Sequence, residues 1–337
     1  MRATVKDVAR LAGVSPGTVS NTLSGARNVD AETRRRVEAA VAQLGYVPNL
    51  AARRFRTGVS NTIAVMTSMS PAVSAGSSRL GFLMEVAASA AVSALEHNAT
   101  LVLVPPVADP AAALRNVAMD GAILIEPSED DPFLELLLRR GVPVVIIGDP
   151  PRDGLAWIDM HYRATANMLV GHLLEQGARC VPLMIGASAR RSYAEAEAAY
   201  RGLLQAEGLE AHVIRIPEAL GEDAAHQAML GLLKDLPALD GVFVPVDAFA
   251  TGVMRALRDA GRAVPDDVKV ATRYDGLRAR EERPAITASN LHLDRIAALA
   301  VDRLVQLVAG TAAPLRIDGP LPTLVPRGST LSSTLRS

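Results

Sequence analysis

Residues Thr4 to Leu23 read TVKDVARLAGVSPGTVSNTL. They spell two short helices and the tight turn between them. Thr4 is placed to cap the first helix, with Asp7 three residues on as its acidic partner. Val5, Val8 and Leu11 recur at helical spacing and predict one buried face. Gly13 falls where that helix must stop and the backbone must turn sharply. Ser15 then caps a second helix, and Pro16 takes its first position, where the missing N–H costs nothing. Val19 and Leu23, four apart, are expected to turn this helix onto the first. Gly17, Thr18, Ser20, Asn21 and Thr22 make the rest of its surface small and polar. Such a helix can enter a DNA major groove and reach base edges and phosphates.

An ordinary helical hairpin is the alternative reading, but the position, spacing and following residues argue for more. The stretch resembles the DNA-binding headpiece of the lactose-repressor (LacI/GalR) family of bacterial regulators. The match is carried by Val5, Asp7, Val8, Ala9, Ala12, Gly13, Val14, Ser15, Thr18, Val19 and Ser20. The resemblance implies that Pro16, Gly17 and Asn21 face the bases. Only Asn21 among them can form two hydrogen bonds to one base, most naturally adenine. Sequence choice should then lean on Asn21, on van der Waals contact from Pro16 and on DNA deformability. Thr4, Ser15, Thr18, Ser20, Ser24 and Arg27 complete the DNA-facing set of the headpiece, and contacts to phosphates position rather than specify.

Asn28 to Asp30 read as a turn and Ala31 to Leu44 as a third helix, with Val37, Ala40, Val41 and Leu44 inward and Gly45 at its end. After an extended Tyr46 to Asn49 comes NLAARRFR, Asn49 to Arg56. It is helical in propensity, rich in arginine and too short to be stable alone in water. In the resembled family this is the hinge helix, which forms on the operator and wedges an apolar side chain into the minor groove. Asn49, Arg53 and Arg56 are its implied DNA contacts. Phe55 stands where the family usually carries leucine, and phenylalanine serves as a minor-groove wedge elsewhere. The alternative for Phe55 is a linker aromatic packed on the next domain.

Charge divides the same way. Residues 1–60 hold ten Arg and Lys against four Asp and Glu, a net of +6, and the remainder holds 25 against 32, a net of −7. A basic head on an acidic body suits a DNA-contacting module joined to one that does not touch DNA. The hydrophobic share of 49% excludes a disordered chain, and no apolar run approaches a membrane span. Met1 leads straight into polar, helix-forming sequence, so no signal peptide is expected. The lone cysteine, Cys180, excludes an internal disulfide framework or a cysteine metal site and fits a reducing cytoplasm.

Past the polar linker Thr57 to Asn61, strand-length apolar runs alternate with amphipathic segments. Strands are expected at 62–67, 100–104, 121–125, 143–147 and 156–159, with helices near 79–97, 109–118 and 131–140. The pattern then repeats, with strands near 181–185, 212–216, 241–245, 268–271 and 285–289 and helices near 161–177, 192–208, 222–236 and 247–261. A last helix near 293–310 precedes a short C-terminal strand. This is βαβ repetition, hence doubly wound parallel sheets in two lobes with a ligand cleft at the carboxyl ends of the strands. A Rossmann dinucleotide enzyme is the rival. The first strand lacks a following GxGxxG, no P-loop occurs, the six histidines are scattered, and no nucleophile has a local base. Neither catalysis, a cofactor nor a metal is expected.

The body resembles the periplasmic-binding-protein-like effector domain of the same family. That resemblance implies effector contacts at Asp159, Arg190 and Asp275, with Asp247 opening a helix of the second lobe and Arg79 lining the first. Asp159 and Asp247 are also good helix N-caps. The family arginine six residues after Arg190 is here Ala196, and aromatics are only 3% of the chain, so a standard sugar pocket is not assured. LVPRGS, Leu324 to Ser329, coincides with the recognition site of a protease used to remove tags. It also continues, through Thr330, the terminal strand pattern of the family, and it reads as native, with the tail beyond it disordered.

The expected chain is an α/β protein with an all-α helix-turn-helix headpiece (residues 1–47), a hinge helix and linker (48–61) and a two-lobed effector-binding and dimerisation body (62–337). The expected function is that of a cytoplasmic, homodimeric regulator, a repressor more than an activator. It would bind double-stranded DNA at a palindromic operator under control of a sugar or related metabolite. A small-molecule binder with a vestigial head and a general DNA-packaging protein are the rivals from other classes.

Overall fold

A computed structural model describes residues 3–24, 29–46, 59–74, 81–107 and 109–331. Two compact units emerge, Met1–Ser60 and Asn61–Ser337. The described part of the first is three helices, α1 (Val5–Ala12), α2 (Pro16–Ser24) and α3 (Ala31–Leu44). Thr4 and Asp7 form a reciprocal capping box, in which the Asp7 amide donates to the Thr4 hydroxyl and the Thr4 amide donates to the Asp7 carboxylate at 3.0 Å. Gly13 and Gly45 end α1 and α3 in the left-handed region, at φ of 66° and 56°. That conformation suits glycine, which has no Cβ to clash.

Val8, Ala9, Ala12, Val19, Val37 and Ala40 make the core of this unit, with Val5, Val41 and Leu44 packed on it. Two expectations fail here. Leu11 and Leu23 are 47% and 36% exposed. The small Ala9 and Ala12 complete the i, i+3, i+4, i+7 stripe begun by Val5 and Val8, and three residues of helix carry Leu11 about 60° beyond Val8.

From Asn61 the second unit runs β1 (Thr62–Thr67), α4 (Pro71–Ser74), α5 (Phe82–Glu96), β2 (Thr100–Val104), α6 (Pro110–Ala113) and β3 (Gly121–Ile125). It continues through α7 (Pro132–Arg139), β4 (Val144–Ile147), β5 (Ala156–Asp159), α8 (Tyr162–Glu175), β6 (Leu183–Gly186), α9 (Arg191–Ala206) and β7 (Val213–Ile216). Then come α10 (Gly221–Asp235), β8 (Gly241–Val244), α11 (Asp247–Asp259), β9 (Lys269–Tyr274), α12 (Leu277–Glu281) and β10 (Thr287–Asn290). The last elements are α13 (Leu293–Val308), β11 (Arg316–Asp318) and β12 (Thr323–Val325).

Two six-stranded sheets result, ordered β2-β1-β3-β4-β5-β11 and β7-β6-β8-β9-β10-β12. All pairings are parallel except the antiparallel β10–β12. In the first sheet the apolar runs sort by the two-residue period. Ile63, Val65, Ile123, Ile125, Val145 and Ile147 meet α5 and α13 on one face, while Ala64, Met66, Ala122, Leu124, Val144 and Ile146 meet α7 on the other. A parallel strand covered on both faces needs this continuous apolarity. The expected helix at 109–118 is only Pro110–Ala113, and the Arg140 guanidinium donates to the free carbonyl of Leu114 at its end at 2.9 Å. The expected single terminal strand is two, one for each sheet.

The chain crosses between the lobes three times. After β5, the Asp159 carboxylate accepts the His161 amide at 2.7 Å, and after β10 the Asn290 side-chain oxygen accepts the His292 amide at 2.9 Å. Both histidines are left-handed, at φ of 51° and 52°, and each opens the helix that enters the other lobe. The third crossing, from β11 to β12, is tied to the first. His161 Nε2 donates to the Gly319 carbonyl at 2.8 Å, and the Gly319 amide donates to the Asp159 carbonyl at 3.2 Å. A Cβ on Gly319 would lie 2.5 Å from that carbonyl oxygen, so only glycine allows the approach.

The Arg327–Thr330 segment is built into the second lobe. Ser329 is fully buried, donates to the Val270 carbonyl at 2.6 Å and accepts the Thr287 amide at 2.8 Å, and the Arg327 guanidinium pairs with Asp275 at 2.6 Å. Residues 332–337, including the tail expected to be disordered, lie outside the described part. The Arg327–Gly328 bond should therefore resist the protease that cuts LVPRGS while the chain is folded and be cut once urea unfolds it. Limited proteolysis followed by mass spectrometry checks this, and rapid cleavage of the native chain would show that the segment leaves its sheet.

Candidate functional site

The first candidate surface is α2. Ser15, Pro16 and Gly17 are exposed, and Thr18, Ser20 and Asn21 are partly so. The Ser15 hydroxyl accepts the Thr18 amide at 3.1 Å and meets the Thr18 hydroxyl at 2.9 Å, while the Thr22 hydroxyl donates to the Thr18 carbonyl at 2.9 Å. These local bonds hold the start of α2, and the helix has no charged residue in its first or last turn. Thr4 is committed to its capping box. Arg27, Asn49, Arg53, Phe55, Arg56 and Arg79 lie outside the described residues, as does the side-chain environment of Ser24.

The second candidate is the cleft between the lobes of the body. The carboxyl ends of β1 and β3 reach it from one lobe, and the ends of β8 and β9 and the start of α9 reach it from the other. Its recess is about 680 Å³ counting space open to solvent. Although aromatics are sparse, Phe82, Tyr162, Tyr193, Phe243 and Tyr274 all line it. The low aromatic content thus conceals a local concentration.

Glu126, immediately after β3, is the central group. Its backbone is left-handed at φ 43°, an unfavourable conformation for a residue bearing a Cβ, and its side chain is 1% exposed. Glu126 Oε1 accepts Arg273 Nη2 at 2.6 Å, joining the lobes from β3 to β9. Arg273 sits over the rings of Tyr162, at 5.1 Å, and Phe82, at 5.5 Å. Burial opposes the Arg273 charge, and the Glu126 carboxylate more than restores it. Gly148 makes room for the ring of Tyr162, since a Cβ there would lie 2.3 Å from its hydroxyl. Burial, then the charge of Glu126, raises the Tyr162 phenol well above its usual range.

Two polar atoms on the cleft wall, Arg273 Nε and Ser192 Oγ, are buried without a hydrogen-bond partner among the described residues. Buried polar atoms are normally paired, with protein groups or with ordered water.

Arg190 is buried at the start of α9. It donates to the Glu126 carbonyl and, at 3.4 Å, to the Ser68 hydroxyl, and its Nε lies 3.7 Å from Glu218. It thus clamps the cleft wall rather than lining the recess. Asp247 does line it. It is the first residue of α11 rather than the cap before it, pairs with Arg278 at 3.2 Å, and has its pKa raised by burial. Asp159 lies at the crossing, paired with Arg316 at 2.7 Å. The cap of α8 is His161 rather than Asp159. Asp275 pairs with Arg327 at 2.6 Å and with Arg280 at 3.3 Å. Burial pushes the Asp275 pKa up, but hydrogen bonds from those arginines outweigh it and leave the group below its usual range.

Sequence reasoning missed Glu126, Tyr162, Ser192 and Arg273. The available signal was a charged residue directly after an apolar strand, at the end where α/β crevices form. Ala196, where the resembled family has arginine, lines the recess and leaves Arg273 as the arginine in that wall.

A helix-turn-helix unit followed by a two-lobed, thrice-crossed body defines the class of ligand-responsive DNA-binding regulators. The sequence model for bacterial regulatory proteins of the lacI family matches residues 4–49, and that for a periplasmic binding protein-like domain matches residues 170–330. The HTH-type transcriptional regulator CelR of Thermobifida fusca is 29% identical over 337 residues, covering 94% of this chain and 95% of that one. The ribose operon repressor of Escherichia coli K12 is 28% identical over 341 residues, covering 97% and 99%. The lac repressor dimer bound to operator and the anti-inducer ONPF superposes with a TM-score of 0.80 at 25% identity, covering 98% and 100%. A CelR–cellobiose complex superposes with a TM-score of 0.71 at 28% identity, covering 97% and 100%. The chain belongs to the LacI family of bacterial transcriptional regulators. It is a sequence-specific DNA-binding regulator with an effector-binding body.

Asp149 supplies a pH test of the cleft margin. Burial, then the carboxylates of Asp159 and Glu195, raises its pKa to about 6. A raised carboxyl pKa stabilises the fold at low pH and loses that contribution as pH rises through the folded value. Asp149→Asn should therefore stabilise the chain above pH 6, by on the order of 1 kcal/mol after solvent screening, and the gain should vanish below about pH 4. Urea melts across that range check it, and a gain unchanged with pH would contradict the assignment.

Proposed function

We propose that two copies of this chain bind the two halves of a palindromic operator and act as a repressor in the cytoplasm, without catalysing a reaction. Two-fold protein symmetry calls for two-fold DNA. The lac repressor neighbour is a dimer on its operator, and the CelR neighbour holds cellobiose, which supports a dimer here and a sugar or related metabolite as effector. Family members are regulators rather than enzymes. No described helix is long and apolar enough to cross a membrane.

The single observation that carries this reading is the join, in one chain, of a capped helix-turn-helix to a hinged cleft lined with unpartnered buried polar atoms. On this reading Asn21 and Pro16 meet bases, Thr18, Ser20, Ser24 and Arg27 meet backbone, and Asn49, Arg53, Phe55 and Arg56 act in the minor groove. The hinge roles rest on the sequence. Asp247 and Arg273 line the cleft, Arg190 closes its wall, and Asp159 and Asp275 act from the crossing and from the second lobe. A ligand shifts DNA affinity only as far as it prefers one lobe arrangement over another.

Selection of bound sequences from a random DNA library by the full-length protein at near-physiological salt tests the reading. An enriched palindrome is expected. Steep salt dependence without a preferred sequence would point to DNA packaging, and failure to bind any DNA selectively, with or without candidate effectors, would make the head vestigial. Asn21→Ala should relax preference at one base pair per half-site, by about 1–3 kcal/mol, in the same selection. Phe55→Ala should weaken specific binding while leaving non-specific binding nearly intact, as measured by titration of operator and scrambled DNA. Equal loss on both would remove the wedge role.

A further inference from the structure

Each lobe holds a piece of the other. β9 belongs to the second sheet, yet its last residue, Tyr274, is buried in the core of the first lobe, edge-on to Phe82 at 5.5 Å, and its hydroxyl donates to Glu85 of α5. Met69–Ser74 makes the reverse exchange. This strap follows β1 of the first lobe, but Met69 and Val73, 9% and 3% exposed, are buried in the core of the second.

The root of the strap is fixed to the first lobe. The Thr67 hydroxyl donates to the Ile125 carbonyl at 3.0 Å and accepts the Met69 amide at 3.2 Å. Local bonds shape the rest. The Ala72 amide donates to the Ser70 hydroxyl at 3.3 Å and the Val73 amide to the Ser70 carbonyl at 3.0 Å, which makes the single turn α4. That turn rests on Glu218–Leu220, on α10 and on α11, all of the second lobe. Ala72 seats closely because residue 221 is glycine. A Cβ at Gly221 would lie 2.9 Å from that of Ala72 and 3.0 Å from its carbonyl oxygen.

Met69 and Val73 also line the recess, as does Ala196 of α9. The strap therefore bridges the cleft and walls the recess at once. Its two attachments differ in kind. Directed hydrogen bonds hold the root, whereas Met69, Ala72 and Val73 meet the second lobe with apolar surface, which is attracted without direction and separates without breaking a specific bond. A turn of four residues does not hold its shape alone in water. Segments held by few apolar contacts open at a lower free energy than the cores they rest on.

We propose that Met69–Ser74 is a gate. Seated on Gly221, it keeps the lobes clasped over the recess; lifted, it admits a ligand while both sheets stay folded. Its purpose rests on the reading of the recess as the effector site, whereas its movement is measurable without an effector, with a thiol reagent as the probe.

The test is the rate at which methyl methanethiosulfonate labels single cysteines in the full-length protein, read by mass spectrometry. Cys180, the one native thiol, is first replaced by alanine. One cysteine is then placed on the strap (Val73→Cys), one in the recess (Ala196→Cys) and one in the core of the second lobe away from the recess (Val253→Cys). Val73→Cys should label about a hundredfold faster than Val253→Cys or more, and with a weaker dependence on urea, as local opening requires. Val73→Ser, which removes apolar contact from the strap, should speed the labelling of Ala196→Cys roughly tenfold or more and leave that of Val253→Cys unchanged. Val73→Ala takes its place where the serine variant does not fold, and should act in the same direction.

Equal rates and equal urea dependence for Val73→Cys and Val253→Cys would overturn the gate, because the strap would then open only when the lobe unfolds. So would labelling of Ala196→Cys that the strap substitutions leave unchanged, or that rises in step with Val253→Cys. These outcomes leave the effector reading standing. That reading fails separately, if no candidate effector alters operator binding.

Discussion

The triple crossing between the lobes is the constraint on which the body depends. Two sheets of the same strand order could fold as separate domains on a linker. Here Asp159–His161, Asn290–His292 and the segment at Gly319 all carry the chain between lobes, and His161 ties the first to the third. Left-handed backbone at a residue with a Cβ costs about 1–3 kcal/mol, and at both histidines a side-chain oxygen two residues back holds the turn. The crossings join the lobes by three strands of backbone rather than one. They also direct the carboxyl ends of strands from both sheets to one cleft. A hinge of this kind converts a small change in ligand contact into a change of lobe angle, because a packed interface switches between discrete arrangements rather than deforming.

The cleft carries a few charged groups on a largely apolar lining. A permanent interface between two lobes would be apolar, since replacing a buried ion pair by packed hydrocarbon is often neutral or stabilising. This cleft instead spans its lobes with Glu126–Arg273 and with Arg190 on the Glu126 carbonyl. Such contacts are directional and sensitive to their surroundings. The strained Glu126 backbone and the small Gly148 beside Tyr162 show that the fold accepts local cost to place these groups.

Much of the fold was legible in the sequence because its signals are local. The capping box at Thr4, the glycines at 13 and 45 and the apolar strands need only neighbours within a few residues to be read. Leu11 and Leu23 misled because periodicity counts large apolar residues, and here two alanines took the inner positions. The cleft was less legible. Glu126 and Arg273 meet across 147 residues of chain; Glu126 looks like an ordinary charge after a strand, and Arg273 like one near the end of a strand. The family resemblance brought Asp159 and Asp275 to notice, but their arginine partners, Arg316 and Arg327, belong to the end of the chain.

The sequence by itself determined the order of elements, the basic head and acidic body, and the doubly wound architecture. Each of these follows from composition, capping and the two hydrophobic periods, which act over a turn of helix or a strand. Only the tertiary structure decided which charges share the cleft, which aromatics converge on it, and that the last helix returns to the first lobe while the last strand closes the second. Those facts depend on where three crossings bring distant segments together, and no local pattern encodes a distance between residues far apart in the chain.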